Sequence, residues 1–456
     1  MLRHRPSHLA AGVALFAALT GAVLAVAPPQ GDVPADDGGI SLEFLPKVYK
    51  ALSSVEQGRT PLYESFRVNR GWREESSQDF IRDTEFRFNL RNYFFDRHKF
   101  DGSTSRAWAI GGWAGVKSGY LFDHLSVGAT VYTSQRLSGA ADTDGTLLLG
   151  PGQKGYTVLG EAYVDLRIIK GLNLFVGRKE FDSPYINKND TRMTPNTFEM
   201  IVLEGNYAFD EKDETIRYGL GYFDKIKDRN SDEFVSMSED AGAGVDRGVY
   251  TAGAVYKKKG FSIGAIDYFC PDTINILYAE AKVDIPIGDW RPKLYFQFTD
   301  QHSVGSNALT GDPFSVQQFG VKLDMPVKNA LFSVGYTQNG GGEDMQYPWS
   351  GYPGYTAVQV QDFNRAGEGA FLLRAGYEVE AIKGLSAYAL AVLGTDPSGA
   401  SQYRQNEYDL NIQFAPPEGL LKGLSLRVRY GVVHQFGGNV DDLTDFRVIC
   451  NYGFRF

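Results

Sequence analysis

The last thirteen residues, 444–456, constrain the fold of this chain more than any other stretch. One parity of this stretch carries Phe446, Val448, Cys450, Tyr452, Phe454 and Phe456, and the other carries Arg447, Ile449, Asn451, Gly453 and Arg455. Alternation with a period of two predicts a β-strand. The aromatic face continues to the terminal residue, and lipid is one environment for such a face. A strand in lipid needs both edges paired, which a closed barrel provides. We therefore predict an all-β fold, a transmembrane antiparallel β-barrel closed by the C-terminal strand.

The amino-acid composition also favours a fold built of many short strands. The chain has 456 residues with 52 glycines, 30 phenylalanines and 26 tyrosines, which suits aromatic strands joined by glycine turns. No long apolar run follows the first thirty residues or so, so a bundle of membrane-spanning helices is excluded. The formal net charge of −9 argues against nucleic acid as a partner.

The amino-terminal residues have the pattern of an export signal. Arg3 and Arg5 precede an apolar stretch over 9–26, and Val23-Leu24-Ala25 is a small-residue cleavage pattern. We predict a secretory signal peptide over 1–25 that is cleaved after export, with a retained membrane anchor as the alternative. Residues 26–81 are predicted to be disordered, to lie in the periplasm, or to form a small plug in the lumen. The sequence does not decide among these, and the barrel is predicted over 82–456.

Strand-like runs with constant parity fill the rest of the chain. Eighteen runs of about ten residues suit spanning strands. They are placed at 82–96, 106–120, 124–135, 156–169, 172–180, 197–209, 214–224, 249–257, 261–269, 274–285, 292–301, 315–325, 330–338, 369–380, 385–394, 403–415, 424–435 and 444–456. Short and mostly long connections alternate between them, so both termini are predicted on the short-turn, periplasmic side. A soluble propeller or sandwich fits less well, because the face opposite the apolar one carries Arg, Glu, Asn and Gly.

The polar face holds the candidate functional residues. Strand parity places a set of charged side chains inside the barrel: Arg87, Arg91, Glu161, Asp165, Arg167, Arg217, Arg374, Arg427, Arg429, Arg447 and Arg455. Any one of these arginines can be a solvated residue of a water-filled wall. Together, a column of guanidinium groups in a narrow pore attracts anions and can pass a carboxylate from site to site.

Several segments resemble one family of outer-membrane proteins. Residues 85–97 (with LRNYFFDR) resemble its first strand, and 424–429 (LSLRVR) and 445–452 (DFRVICNY) resemble its last two strands. Residues 192–197 (RMTPNT) resemble the end of its third outer loop. The family is the OprD family of porins. The resemblance implies an eighteen-stranded monomeric channel that takes up small, often carboxylate-bearing solutes without energy input. It also implies a constriction formed by the third and seventh outer loops, and a ladder of basic residues along the wall.

The same resemblance implies roles for particular residues. Arg91, Arg427, Arg429 and Arg447 correspond to the basic ladder, Arg192 lies on the constriction loop, and Asp182 or Asp190 supplies the acidic side of the constriction. Two features depart from the family pattern. The segment before the first strand is longer than usual, and the seventh loop, 339–368, is rich in Gly, Tyr and Pro.

The predicted function is passive diffusion of small water-soluble solutes, such as amino acids or organic acids, across the bacterial outer membrane. The first alternative is a polysaccharide-export or hydrophobic-solute barrel. A barrel enzyme is the less favoured alternative. His98, His124, His302 and His434 have no recognisable catalytic partner motif. No cofactor or metal is predicted, and Cys270 and Cys450 receive no role. The expected partners are outer-membrane lipid, the solutes, and the barrel-assembly machinery acting on the last strand. A monomer is expected, with a trimer as the alternative.

Overall fold

The computed structural model describes residues 59–66, 79–209, 213–349, 351–399, 402–437 and 441–456. The predicted signal peptide lies outside the described residues, and so does most of the segment 26–81. Within the described ranges, no helix has the length and apolar character needed to cross a membrane. Cys270 and Cys450 are both free thiols.

Antiparallel strands in one continuous sheet make up almost all of the described chain. One of the nineteen strands in the described part, Val235–Ser236, has only two residues and lies in a loop, and the other eighteen form the wall. They are β1 (Glu85–His98), β2 (Thr104–Lys117), β3 (Leu125–Ser138), β4 (Tyr156–Ile169), β5 (Leu172–Lys179), β6 (Thr197–Ala208), β7 (Thr215–Lys227), β8 (Val249–Lys258), β9 (Phe261–Cys270), β10 (Ile274–Asp284), β11 (Lys293–Ser303), β12 (Ser315–Val327), β13 (Ala330–Asn339), β14 (Gly369–Glu378), β15 (Leu385–Gly394), β16 (Arg404–Phe414), β17 (Leu424–Phe436) and β18 (Leu443–Arg455).

The sheet closes on itself through its first and last strands. β18 pairs with β1 in an antiparallel register that runs from His98 opposite Thr444 to Arg87 opposite Arg455. The rings of Phe88 and Phe454 stack across this seam with their centroids 5.1 Å apart. Each strand is thus paired on both edges, and the prediction of a barrel closed by the C-terminal strand is confirmed.

The two faces of the wall differ as the strand parity predicts. Large apolar side chains are exposed on the outer face, including Leu90 and Phe319, each 61% exposed, and Phe371 at 53%. The alternate positions point inward and are mostly buried beneath loops that enter the barrel. A band of apolar side chains around a closed barrel is the surface that a bilayer covers.

Several strand ends differ from the sequence-based prediction. β1 begins at Glu85 rather than 82, β2 spans Thr104–Lys117 rather than 106–120, and β3 and β7 each run three residues further. On the outer side, the ladder of backbone hydrogen bonds continues beyond the apolar alternation, so the pattern underestimates the strands there. On the periplasmic side, the pattern overestimates β1 and β2 by three residues each. The fourth outer loop, 228–248, also holds a helical turn, Met237–Asp240, which no periodicity predicts because it is so short.

Two outer loops fold into the barrel. The third outer loop, 180–196, buries Tyr185 and Ile186, and the seventh outer loop, 340–368, buries Trp349 and Tyr352. These side chains form one apolar cluster with interior-facing wall residues such as Tyr268. The loops therefore pack as part of a core inside the barrel, and the Gly/Tyr/Pro-rich seventh loop takes part in it.

A short stretch that precedes the barrel in the sequence also lies inside it. We call residues 59–66 the lumenal segment; it contains a 3-10 turn, Leu62–Glu64. Leu62 and Phe66 are buried in the same apolar cluster as the two inward loops.

Candidate functional site

Neighbouring arginines line the interior where β16, β17 and β18 lie side by side. Arg429 on β17 is directly opposite Arg447 on β18, and Asn411 on β16 is opposite Arg429. The flanking residues Leu426 and Tyr430 are exposed on the outer face. Arg427, Arg429 and Arg447 therefore share the interior face of two adjacent strands.

Arg447 fastens the seventh outer loop to the wall. Its guanidinium donates to both carboxylate oxygens of Asp445, at 2.6 and 3.0 Å, and to the carbonyl oxygen of Gln359 at 3.0 Å. Arg97 on β1 reaches the same carboxylate at 2.7 Å. The side chain of Gln359 also donates to Asp445, at 2.8 Å. Most donors of Arg447 are thus engaged by the wall and the loop.

Arg91 plays the corresponding part for the third outer loop. It donates to both carboxylate oxygens of Asp190, at 2.6 and 3.0 Å, and to the carbonyl oxygen of Arg192. Its Nε donates to Asn451 Oδ1 at 2.6 Å. A bidentate arginine–carboxylate pair fixes orientation as well as position. Arg91 therefore holds this loop against the seam between β1 and β18.

Arg192 is itself enclosed at the base of that loop. Its Nε donates to the carbonyl oxygen of Thr146 at 2.8 Å, and its guanidinium lies 5.2 Å from the ring centre of Phe95. Burial lowers the pKa of Arg192, and the positive charges of Arg229 and Arg447 act in the same direction. Arg447 also lies beside this ring, 4.8 Å from its centre, so two guanidinium groups contact Phe95 where the third loop approaches the wall.

Arg429 differs from these anchoring arginines. Its side chain is buried, with the residue only 4% exposed, yet Nε and Nη2 have no hydrogen-bond acceptor among the described residues. Its neighbour Arg427 donates through Nε to Asn411 Oδ1. Because buried donors are nearly always satisfied, a guanidinium with two donors unsatisfied by the described protein is suited to an anionic oxygen from outside it.

The two candidate aspartates have different surroundings. Asp190 pairs with Arg91, as described above. Asp182 accepts a hydrogen bond from Thr60 Oγ1 at 3.0 Å and lies 3.6 Å from Lys188 Nζ. Both lie on the third loop, but Asp182 contacts the lumenal segment, whereas Asp190 contacts Arg91 on β1.

Three further carboxylates of the site were not singled out from the sequence. Asp445 pairs with Arg447. On β16, Glu407 accepts hydrogen bonds from the amides of Val360 and Gln361 at 2.8 and 2.7 Å, and Asp409 accepts one from the amide of Gln359 at 3.2 Å. Strand parity could have placed these carboxylates inside the barrel. Their bonds to a loop between 46 and 86 residues away carry no sequence signal.

The remaining predicted interior residues lie at several places in the barrel. Asp165 accepts from Tyr120 Oη at 2.6 Å, and the guanidinium of Arg167 lies 3.8 Å from the ring centre of Tyr120. Arg87 and Glu161 line a cavity of about 40 Å³ beside the third loop. None of these four residues belongs to the row formed by Arg429 and Arg447.

Three more predicted arginines are also separate from that row or at its margin. Arg217 donates to the carbonyl oxygen of Tyr63 in the lumenal segment. Arg374 stacks 4.0 Å from the ring centre of Tyr388. Arg455 lies at the end of β18, where its side chain is 58% exposed and 3.7 Å from Glu85.

Metal binding has no support in the described ranges, where no cluster of three or more His, Cys, Asp or Glu side chains could hold an ion. The interior contains charged side chains and two inward loops, all enclosed by the barrel wall. A closed eighteen-stranded antiparallel barrel of this construction defines the class of outer-membrane β-barrel channels.

Comparisons with known proteins identify the family. The model of the outer membrane porin, OprD family, matches residues 78–456, and the chain belongs to that family. Comparison with curated protein sequences found no significant match.

Three solved structures illustrate the similarity in fold. OccK9 (OpdG) of Pseudomonas aeruginosa is 23% identical, with a TM-score of 0.73, and the alignment covers 83% of this chain and 100% of that one. OpdK of the same organism, solved with vanillate, is 19% identical, with a TM-score of 0.72 and the same coverage. OccAB2 of Acinetobacter baumannii is 20% identical, with a TM-score of 0.72, covering 84% and 100%.

Proposed function

We propose that this protein is a passive diffusion channel for small water-soluble solutes that carry a carboxylate, and that Arg427 and Arg429 contact the solute on its way. The observation that carries the proposal is the buried guanidinium of Arg429, with two donors unsatisfied by the described protein. Its neighbours Arg427 and Arg447 add positive charge on the same face. A basic patch in a low-dielectric channel favours anions over neutral solutes.

The other predicted arginines take different parts in this proposal. Arg91 and Arg447 hold the third and seventh loops in place, because their hydrogen bonds go to Asp190 and to Asp445 and Gln359. They would shape the constriction and contribute to its potential, while Arg192 and the two aspartates, Asp182 and Asp190, set its loop side. One similar channel, OpdK, was solved with vanillate, which carries a carboxylate. That supports the choice of solute class.

The proposal also covers export, membrane insertion and oligomeric state. The chain would be exported by a cleaved signal peptide, inserted into the outer membrane by the barrel-assembly machinery through β18, and act as a monomer without enzymatic activity. A hydrophobic-solute or polysaccharide-export barrel is less well supported. The interior face around Arg429 is neither apolar nor wide open, since the seventh loop covers it through Gln359.

Liposome swelling with a carboxylate solute and its size-matched neutral amide tests the proposal. The double variant Arg427→Ala/Arg429→Ala should lower the carboxylate-to-amide rate ratio by about tenfold, equivalent to roughly 1.4 kcal/mol. Arg455→Ala is the matched control, because Arg455 is exposed at the end of β18, and it should leave the ratio unchanged. An unaltered ratio in the double variant would remove solute contact from these two arginines.

A further inference from the structure

The lumenal segment extends from the wall at β7 and β8 to the seventh outer loop. Phe66 packs against β7 and β8, where a Cβ built on Gly219 would lie 2.4 Å from its ring. Arg59, at the other end, donates to the carbonyl oxygens of Ala357 and Val358 in the seventh loop, next to the stretch that bonds to β16. β7–β8 and β16 are eight or nine strands apart in a wall of eighteen. The segment therefore crosses the interior.

The wall has a fitted socket for the Phe66 ring. Gly219 on β7 and Gly253 on β8 are directly opposite each other in the ladder. The three heavy atoms nearest to a Cβ on Gly219 all belong to Phe66, and a Cβ on Gly253 would lie 2.8 Å from Phe66 Cζ. Both positions of the wall that contact the ring thus lack a side chain. Phe66 adopts φ +56°, a conformation rare for a bulky residue, so the surrounding contacts hold it there.

Polar contacts fix the middle of the segment. The amide of Leu62 donates to Glu280 Oε2 on β10 at 2.6 Å, and Arg217 on β7 donates to the carbonyl oxygen of Tyr63. The ammonium of Lys282 lies 4.8 Å from the ring centre of Tyr63. Two backbone groups of the segment are therefore hydrogen-bonded to side chains of the wall.

The segment also joins the two inward loops. Thr60 donates to Asp182 of the third loop at 3.0 Å, and Arg59 lies 3.6 Å from Asp362 of the seventh loop. Glu280 binds both the segment and Tyr355 of the seventh loop, which donates to it at 3.1 Å. Both constriction loops thus contact the segment. It also precedes residue 78, where the match to the family model begins.

We propose that the lumenal segment is a built-in plug that closes the diffusion path, and that transport requires it to leave the socket formed by Gly219 and Gly253. The proposal rests on the channel function proposed above. In that function Arg427 and Arg429 select the solute, and the plug determines whether the path is open. Release of Phe66 and Arg59 would free the interior between opposite walls and remove the contact that ties the third loop to the seventh.

Gly219→Ala tests the plug with little change to the wall, because only Phe66 atoms are nearest to the added methyl group. Phe66→Ala removes the same contact from the other side. Gly335→Ala is the matched control, since Gly335 is an interior glycine of β13 where a Cβ would make ordinary contact with Leu372 at 3.5 Å. Heat-modifiable gel mobility verifies that each purified full-length variant has a folded barrel.

Two readouts follow the plug independently. The first is single-channel conductance in planar bilayers. The second is the rate of maleimide labelling of Ser65→Cys, because Ser65 is a fully buried position of the plug. Labelling is measured with and without Gly219→Ala. The protein without Ser65→Cys gives the background labelling of Cys270 and Cys450. Gly219→Ala and Phe66→Ala should raise the mean conductance about twofold or more, with Gly335→Ala unchanged. Gly219→Ala should speed labelling of Cys at position 65 roughly tenfold, because labelling follows the released population.

Each contrary outcome has a distinct meaning. Rapid labelling of Ser65→Cys without Gly219→Ala would show that the segment does not occupy the socket, and it would overturn the proposal. In a second outcome, labelling is slow and Gly219→Ala accelerates it, but Gly219→Ala and Phe66→Ala both conduct at the wild-type level. The segment would then occupy the socket without closing the path. This result overturns the plug and leaves the proposed channel function standing. Labelling as expected with no current from any variant would instead overturn the proposed channel function and the plug with it.

Discussion

The ion pair between Arg91 and Asp190 should contribute measurably to the free energy of unfolding, because it joins the third loop to the barrel wall. The two carboxylate oxygens accept bonds of 2.6 and 3.0 Å, and the side chains are 8% and 27% exposed. Such a pair lies between surface ion pairs and fully buried ones. We expect a coupling free energy of about 2 kcal/mol, above the surface range and below the cost of breaking a fully buried pair.

A double-mutant cycle measures this coupling. Arg91→Gln, Asp190→Asn and the double variant are unfolded reversibly with urea in lipid vesicles, and the two single losses are compared with the combined one. The pair between Arg106 and Asp96, with Arg106 half exposed, is the matched control and should show a clearly smaller coupling. A coupling below about 0.5 kcal/mol for Arg91 and Asp190 would refute the argument that this pair fastens the loop.

Two further predictions concern the wall and the seventh loop. Leu410 is exposed on the outer face near the middle of β16. Leu410→Arg should therefore destabilise the folded barrel in bilayers by roughly 2–4 kcal/mol, as measured by urea unfolding; a loss equal to that of Leu410→Ala would contradict the assigned facing. Trp349 is buried and donates to the carbonyl oxygen of Met237 at 2.8 Å. Trp349→Ala should therefore cost about 3–5 kcal/mol if the loop unfolds with the barrel, and protease cleavage in 340–368 no faster than in the wild type would count against its packing role.

The wall of this protein is predictable from its sequence because the signal is local. Lipid outside and polar groups inside impose a period of two on every strand, and turns such as Lys383-Gly384 mark where the parity restarts. The parity of Arg427, Arg429 and Arg447 follows from the same alternation. Strand ends such as Ser138 of β3 are less predictable, since backbone pairing continues where the apolar pattern has stopped.

The interior is less predictable because its contacts join distant parts of the chain. Asp182 and Asp190 are equivalent candidates by sequence, and only the fold places Asp190 on Arg91, ninety-nine residues away. Asp445 stands two residues from Arg447, and period two puts both on one face, yet its bonds to Arg97 and Gln359 depend on closure of the barrel. The course of the lumenal segment likewise depends on a glycine socket formed by two strands.

Ion flow through the full-length protein tests the central claim most directly. In a planar bilayer with a potassium chloride gradient, current–voltage curves give the conductance and the reversal potential together. With the lumenal segment out of its socket, the proposed function predicts a small, ohmic conductance, because the two inward loops narrow the interior. It also predicts a reversal potential on the anion-selective side, because Arg427 and Arg429 would contact the passing ion. A large conductance typical of an open general pore, or a cation-selective reversal potential, would contradict the account.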